Sequence, residues 1–124
     1  MLSMNKKTAI SSPDTLASIP ENVKEAISKF SQRITGEFHD KITQVILFGS
    51  YARGDYHSDS DVDLLVLTTD DSWDMKKRIM DIGFGLYPEM GVMVSSKVMT
   101  EEHYAMMKNF LFIQEVSRDG IAVA

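Results

Sequence analysis

Asp61 and Asp63 stand two apart at the start of the run "DVDLLVL". If that run is a strand, both carboxylates emerge on one face, roughly 6–7 Å apart along the backbone. Asp55 and Asp59 lie just upstream. Like charges this close repel, and a fold keeps them together where a cation normally sits between them. Paired carboxylates suit Mg²⁺, a hard ion that takes oxygen ligands and commonly shares them with substrate phosphates. Two such ions about 3.5–4 Å apart can clamp the attacking and leaving oxygens of a phosphoryl transfer. Gly49 and Ser50 end the preceding apolar run, "VILFGS". A glycine removes the side chain where a phosphate would approach the backbone, and Ser50 with its neighbouring N–H groups can donate. Arg53 adds a planar cation suited to bidentate phosphate contacts. Taken singly, each piece is ordinary. Gly-Ser after a strand is usually a turn, a lone Arg is usually on the surface, and Asp-x-Asp alone binds metal about one time in ten. The combination is stronger because each piece lies where phosphoryl chemistry needs it.

The surrounding sequence supplies elements to hold these residues. Val23, Ile27, Phe30 and Ile34 recur at helical spacing, and Pro20 suits a first turn, so a helix is expected over about 20–36. "KITQVILFGS" reads as a buried strand, "YARGDYHSDS" as a polar loop and "DVDLLVLTT" as a second strand. In the second strand Val62, Leu64 and Val66 share one face. Asp61, Asp63, Leu65 and Leu67 share the other, whose acidic end must open into a cleft. Asp70, Asp71 and Ser72 can cap a helix whose apolar stripe includes Trp73, Ile79, Met80 and Leu86. "GVMVSSKVMT" is a third strand. Thr100 can cap a further helix, in one or two pieces, that stops at Gly120. The order is helix, strand, loop, strand, helix, strand, helix. It predicts an α/β fold with a small mixed sheet, three-stranded or four-stranded, flanked by helices. A direct loop between the first two strands argues against a dinucleotide-binding crossover, which needs a helix there.

Composition narrows the function classes. The 124 residues fit one domain, read as a flexible arm over 1–18 and a single domain over 19–124. The net charge of −5 argues against a partner held by its phosphate backbone, so nucleic acid is unlikely. The chain has no Cys, which excludes disulfides and thiolate metal sites and suits a cytoplasmic protein. It has no run long enough to span a bilayer, and the N-terminal stretch does not read as a secretory signal.

The spacing resembles a known family. Gly49-Ser50, ten residues from Tyr51 to Ser60, then Asp61-Val62-Asp63 is similar to the signature of the nucleotidyltransferase superfamily, specifically the minimal nucleotidyltransferase proteins. "GSYARG" and "SDSDVDLLV" also resemble that family's wording. The resemblance implies a nucleoside triphosphate donor, ATP above all, with Mg²⁺ and transfer of a nucleoside monophosphate. It implies Asp61 and Asp63 as metal ligands and catalytic residues, and Gly49, Ser50 and Arg53 as triphosphate contacts. Many stand-alone members are antitoxins paired with HEPN-domain toxins, and some attach AMP to a tyrosine of that partner, so a HEPN protein is the expected partner. Association as a homo- or hetero-oligomer is left open.

One departure matters. Active members usually carry a third carboxylate on the next strand, whereas "GVMVSSKVMT" has no acid. Met93 and Ser95 are the positions expected to face the cleft. Three alternatives stand: a single metal, an acid borrowed from a partner, or a nucleotide-binding antitoxin that acts by occlusion without catalysis. Among other residues, His57 reads as a solvated loop histidine, and Tyr51 and Tyr56 as rim packing. His39 and His103 suggest no zinc site. Met99, Met106 and Met107 read as core packing on the last helices. Glu115 to Gly120, "EVSRDG", resembles a C-terminal stretch common in such short proteins, in which Arg118 could reach a phosphate.

Overall fold

A computed structural model describes residues 17–124. Most of the expected arm over 1–18 lies outside the described residues. Its last residue, Ser18, is tied to the body, because its carbonyl accepts a hydrogen bond from the Tyr56 hydroxyl at 2.8 Å.

Helix α1 spans Glu21–Phe38 and buries Val23, Ala26, Ile27, Phe30 and Ile34 along one face. This is the stripe its spacing predicts. A short 3₁₀ turn leads into β1, Ile42–Phe48. The segment expected to be all loop begins instead with a single helical turn, α2, Ser50–Arg53. Four residues are too few to show a helical period, which is why the turn is not visible in the sequence. Strand β2 is Val62–Thr68. Helix α3, Trp73–Phe84, is capped by Ser72, whose Oγ accepts from the Met75 N–H. Its buried stripe is Met75, Ile79 and Ile82. Trp73, expected in that stripe, is 65% exposed. As the first helical residue it lies about 100° per position off the Met75–Ile79–Ile82 line and so faces outward. The expected Leu86 is buried, but in a separate short helix, α4, Leu86–Met90. Strand β3 is Val94–Thr100, followed by α5, Glu101–Met106, with the Thr100 Oγ1 accepting from the His103 N–H. Helix α6 is Leu111–Asp119 and β4 is Ile121–Ala122. Met106 is 77% exposed rather than in the core.

The sheet is mixed and four-stranded, in the order β3-β2-β1-β4. β1 is antiparallel to β2 and β4, and β2 is parallel to β3. Alternation along the strands divides the apolar residues between two layers. Val45, Leu47, Val62, Leu64 and Val66 pack with α1 and α3. Ile46, Phe48, Leu65 and Leu67 pack with Ile113 and Val116 of α6. At about 25 cal/mol per Å² of apolar surface, these two layers are the main source of stability. α6 must turn sharply into β4, and Gly120 allows it, since a Cβ there would collide with the Val116 carbonyl and the Ile46 side chain. No helix among the described residues is long and apolar enough to cross a membrane.

Candidate active site

β1 and β2 run antiparallel with Phe48 opposite Asp63. The C-terminal end of β1 therefore meets the N-terminal end of β2, and Gly49 and Ser50 come to lie beside Asp61 and Asp63. An open cleft of about 540 Å³ forms there. It is lined by all five residues singled out for chemistry, Gly49, Ser50, Arg53, Asp61 and Asp63, together with Phe48, Asp55, His57, Ser60 and Glu115.

The local backbone explains several of these placements. Gly49 has φ +81°, and a Cβ on it would strike the Asp63 carboxylate. A side chain is therefore excluded twice, by conformation and by space. The Gly49 carbonyl accepts the N–H groups of Ala52 and Arg53 at 3.1 and 3.0 Å, which closes α2. The N–H groups of Ser50 and Tyr51 lie in the first turn, where a helix has no internal acceptor for them. Arg53 donates from Nε to Asp55 at 3.2 Å, which tethers the guanidinium at the cleft. His57 Nδ1 accepts the Asp59 N–H at 3.3 Å, a contact that shapes the exposed loop.

Asp61 is exposed and Asp63 is partly buried. Burial pushes the Asp63 carboxyl above the ordinary carboxylate range, and the charge of Asp61 adds to this. Lys97 and Arg53 pull it down, and Glu115 raises it again. Asp63 is thus held in a place where its charge is not fully compensated by the protein, the condition under which a divalent cation is a favourable partner. Hard carboxylate oxygens at a strand end fit Mg²⁺, with its remaining positions left for water and phosphate. Among the described residues no three His, Asp or Glu side chains gather closely enough to hold a metal without such outside ligands.

Ser95 pairs with Asp63 across β2 and β3 and so shares its face of the sheet, although the cleft lining includes neither Ser95 nor Met93. Met93 precedes β3, its carbonyl accepts the Val62 N–H at 2.9 Å, and it lines a second cleft of about 360 Å³ that meets the first at Ser60 and Asp61. Arg118 does not line the main cleft either. It donates to Asp119 at 2.9–3.1 Å. Tyr51 and Tyr56 stack on each other at 4.4 Å. Burial, helped by the charges of Tyr56 and Asp61, holds the Tyr51 hydroxyl above the usual phenol range. The residue that sequence reasoning passed over is Glu115. It lies 52 positions beyond Asp63, and only the packing of α6 brings it to the cleft.

The profile of the nucleotidyltransferase domain matches residues 23–112. The chain belongs to the nucleotidyltransferase family. Two proteins of Methanocaldococcus jannaschii, each named a putative protein adenylyltransferase, are similar to this nucleotidyltransferase. One is 33% identical over 99 residues, covering 80% of this chain and 95% of the relative. The other is 35% identical over 100 residues, covering 80% and 96%. A crystal structure described as a putative nucleotidyltransferase from Sulfolobus solfataricus superposes with a TM-score of 0.52 at 17% identity, covering 85% of this chain and 88% of that one. That likeness is one of fold. Glu115 lies just past the matched residues.

Proposed function

We propose that the protein is a Mg²⁺-dependent protein adenylyltransferase that moves AMP from ATP to a protein hydroxyl. The observation that carries this reading is the meeting of Gly49-Ser50 and Asp61/Asp63 in one cleft at two adjacent strand ends. The names of the two M. jannaschii relatives favour a protein as acceptor.

In this reading Asp61 and Asp63 hold Mg²⁺, which when bound neutralises the triphosphate. The Gly49 backbone admits the phosphates closely, because no side chain stands in the way. Ser50 and the first N–H groups of α2 donate to the leaving pyrophosphate, and Arg53 adds a positive charge. Donors fixed in place before the reaction stabilise developing charge without reorganising. The acceptor oxygen attacks the α-phosphorus in line with the departing pyrophosphate. The acceptor we favour is a tyrosine of a HEPN-domain toxin, which the transfer would neutralise. The tyrosine and the toxin rest on the sequence resemblance alone.

The test is incubation with ATP labelled at the α-phosphate, Mg²⁺, and either a HEPN partner or a protein extract of the source cells. Label should appear on protein with the wild type and vanish with Asp61→Asn/Asp63→Asn. No labelled protein, or equal labelling by both, would reject the reading.

A further inference from the structure

Glu115 faces the same cleft as the aspartate pair, and the packing of α6 fixes its position. Ile113 and Val116, on either side of it, are buried against Ile46 and Phe48. One turn earlier, Phe112 meets Phe48 edge-on at 5.0 Å, and the Lys97 ammonium lies 5.5 Å from the Phe112 ring. Phe48 is the cross-strand partner of Asp63. α6 is therefore anchored on the residue next to the aspartate pair, and Glu115 is presented from it.

Among the described residues the Glu115 carboxylate is held by no salt bridge, although Arg118 and Asp63 both feel its charge. The arginine one turn along its own helix, Arg118, is turned to Asp119. Glu115 lines the cleft with Asp61 and Asp63 and its charge acts on Asp63, yet the three do not form a metal cage. The cleft they share, about 540 Å³, is open to the reacting groups. His57, which lines the same cleft, sits on an exposed loop with Nδ1 already accepting the Asp59 N–H.

Building on the adenylyl-transfer reading above, we propose that Glu115 is the catalytic proton acceptor for the incoming hydroxyl. The acceptor oxygen forms its bond to the α-phosphorus. The bond from that phosphorus to the bridging oxygen of the β-phosphate breaks, and pyrophosphate leaves with the electron pair. The hydroxyl proton passes to a Glu115 Oε and then to water, which regenerates the carboxylate. Helix α6, rather than the strand after β2, thus supplies the acid that "GVMVSSKVMT" lacks.

The experiment compares wild type, Glu115→Gln and Glu115→Ala. It uses α-labelled ATP with Mg²⁺ and a protein extract of the source cells, alongside calorimetry of Mg²⁺-ATP binding and thermal unfolding. Removing a positioned base should lower the transfer rate about 10²–10⁴-fold. Mg²⁺-ATP affinity and unfolding temperature should hold, affinity within about threefold. Formate, a small carboxylate that can enter the vacated space, should restore part of the rate to Glu115→Ala and none to Glu115→Gln. The inference is overturned if Glu115→Gln transfers at the wild-type rate. It is also overturned if the variant loses Mg²⁺-ATP affinity in step with its rate, or if folded Glu115→Ala gains nothing from formate. A wild type that labels no protein overturns the adenylyl-transfer reading and this inference with it. A wild type that labels protein while Glu115→Gln does so equally overturns this inference alone.

Discussion

The Asp63 carboxylate occupies the space that a side chain on Gly49 would need. The first residue after β1 and the second acid of the Asp-x-Asp pair are thus matched in shape. Gly49 also has a positive φ of 81°, which most side chains adopt at a cost of roughly 1–3 kcal/mol. Gly49→Ala should therefore displace Asp63 as well as strain the turn. A lower unfolding temperature is expected, with Mg²⁺-ATP affinity reduced about tenfold or more by calorimetry. Wild-type affinity in the variant would show that the Gly49–Asp63 packing does not shape the site.

Asp63 makes stability depend on pH with a definite sign. Burial and the neighbouring Asp61 raise its folded pKa above the unfolded value. The folded chain then binds a proton more tightly than the unfolded chain, so stability falls as pH rises through the carboxylate range. This penalty is absent below the unfolded pKa and fully present above the folded one. Without Mg²⁺, Asp63→Asn should unfold at a higher temperature than wild type at pH 7, and the difference should close near about pH 3, below the ordinary aspartate value. Saturating Mg²⁺-ATP should favour wild type, which alone keeps both carboxylates for binding. Equal unfolding temperatures at pH 7 would contradict this account.

Ile113 is 2% exposed and anchors α6 under the cleft. Ile113→Ala should destabilise the protein by about 2–4 kcal/mol in denaturant titration. Transfer should fall further than Mg²⁺-ATP affinity, because the helix that carries Glu115 is loosened while the β1–β2 end is not. A parallel decline in both would mean that α6 supports nucleotide binding as well.

The cap and the exposed tryptophan of α3 should respond differently. Ser72→Ala removes the acceptor for the Met75 N–H and should lower stability by about 1 kcal/mol. Trp73→Ala changes an exposed side chain and should stay within about 0.5 kcal/mol of wild type. Thermal unfolding of the two variants side by side decides this, and a large loss from Trp73→Ala would place its ring in a contact the fold does not show.

The alternating run Val62–Leu67 determined which face of β2 is apolar throughout and where its acidic end lies, because period-two alternation fixes side-chain direction locally. The spacing of Val23, Ile27, Phe30 and Ile34 determined α1 for a similar reason. The ten-residue gap between Gly49-Ser50 and Asp61-Val62-Asp63 was enough to identify the family. Other features depend on distant partners. Strand β4 is two residues long, too short for a pattern, and exists because β1 offers it an edge. Trp73 looked like core by its chemistry, but the register of α3 turned Met75, Ile79 and Ile82 inward instead. Glu115 carries no local sign of its place. Its position follows from Ile113 and Val116 seating on Ile46 and Phe48, an outcome of two apolar surfaces meeting that neither segment encodes alone. The sequence by itself determined which residues stand at the strand ends, because strand geometry is local. The tertiary structure decided what stands opposite them, because long-range packing places α6.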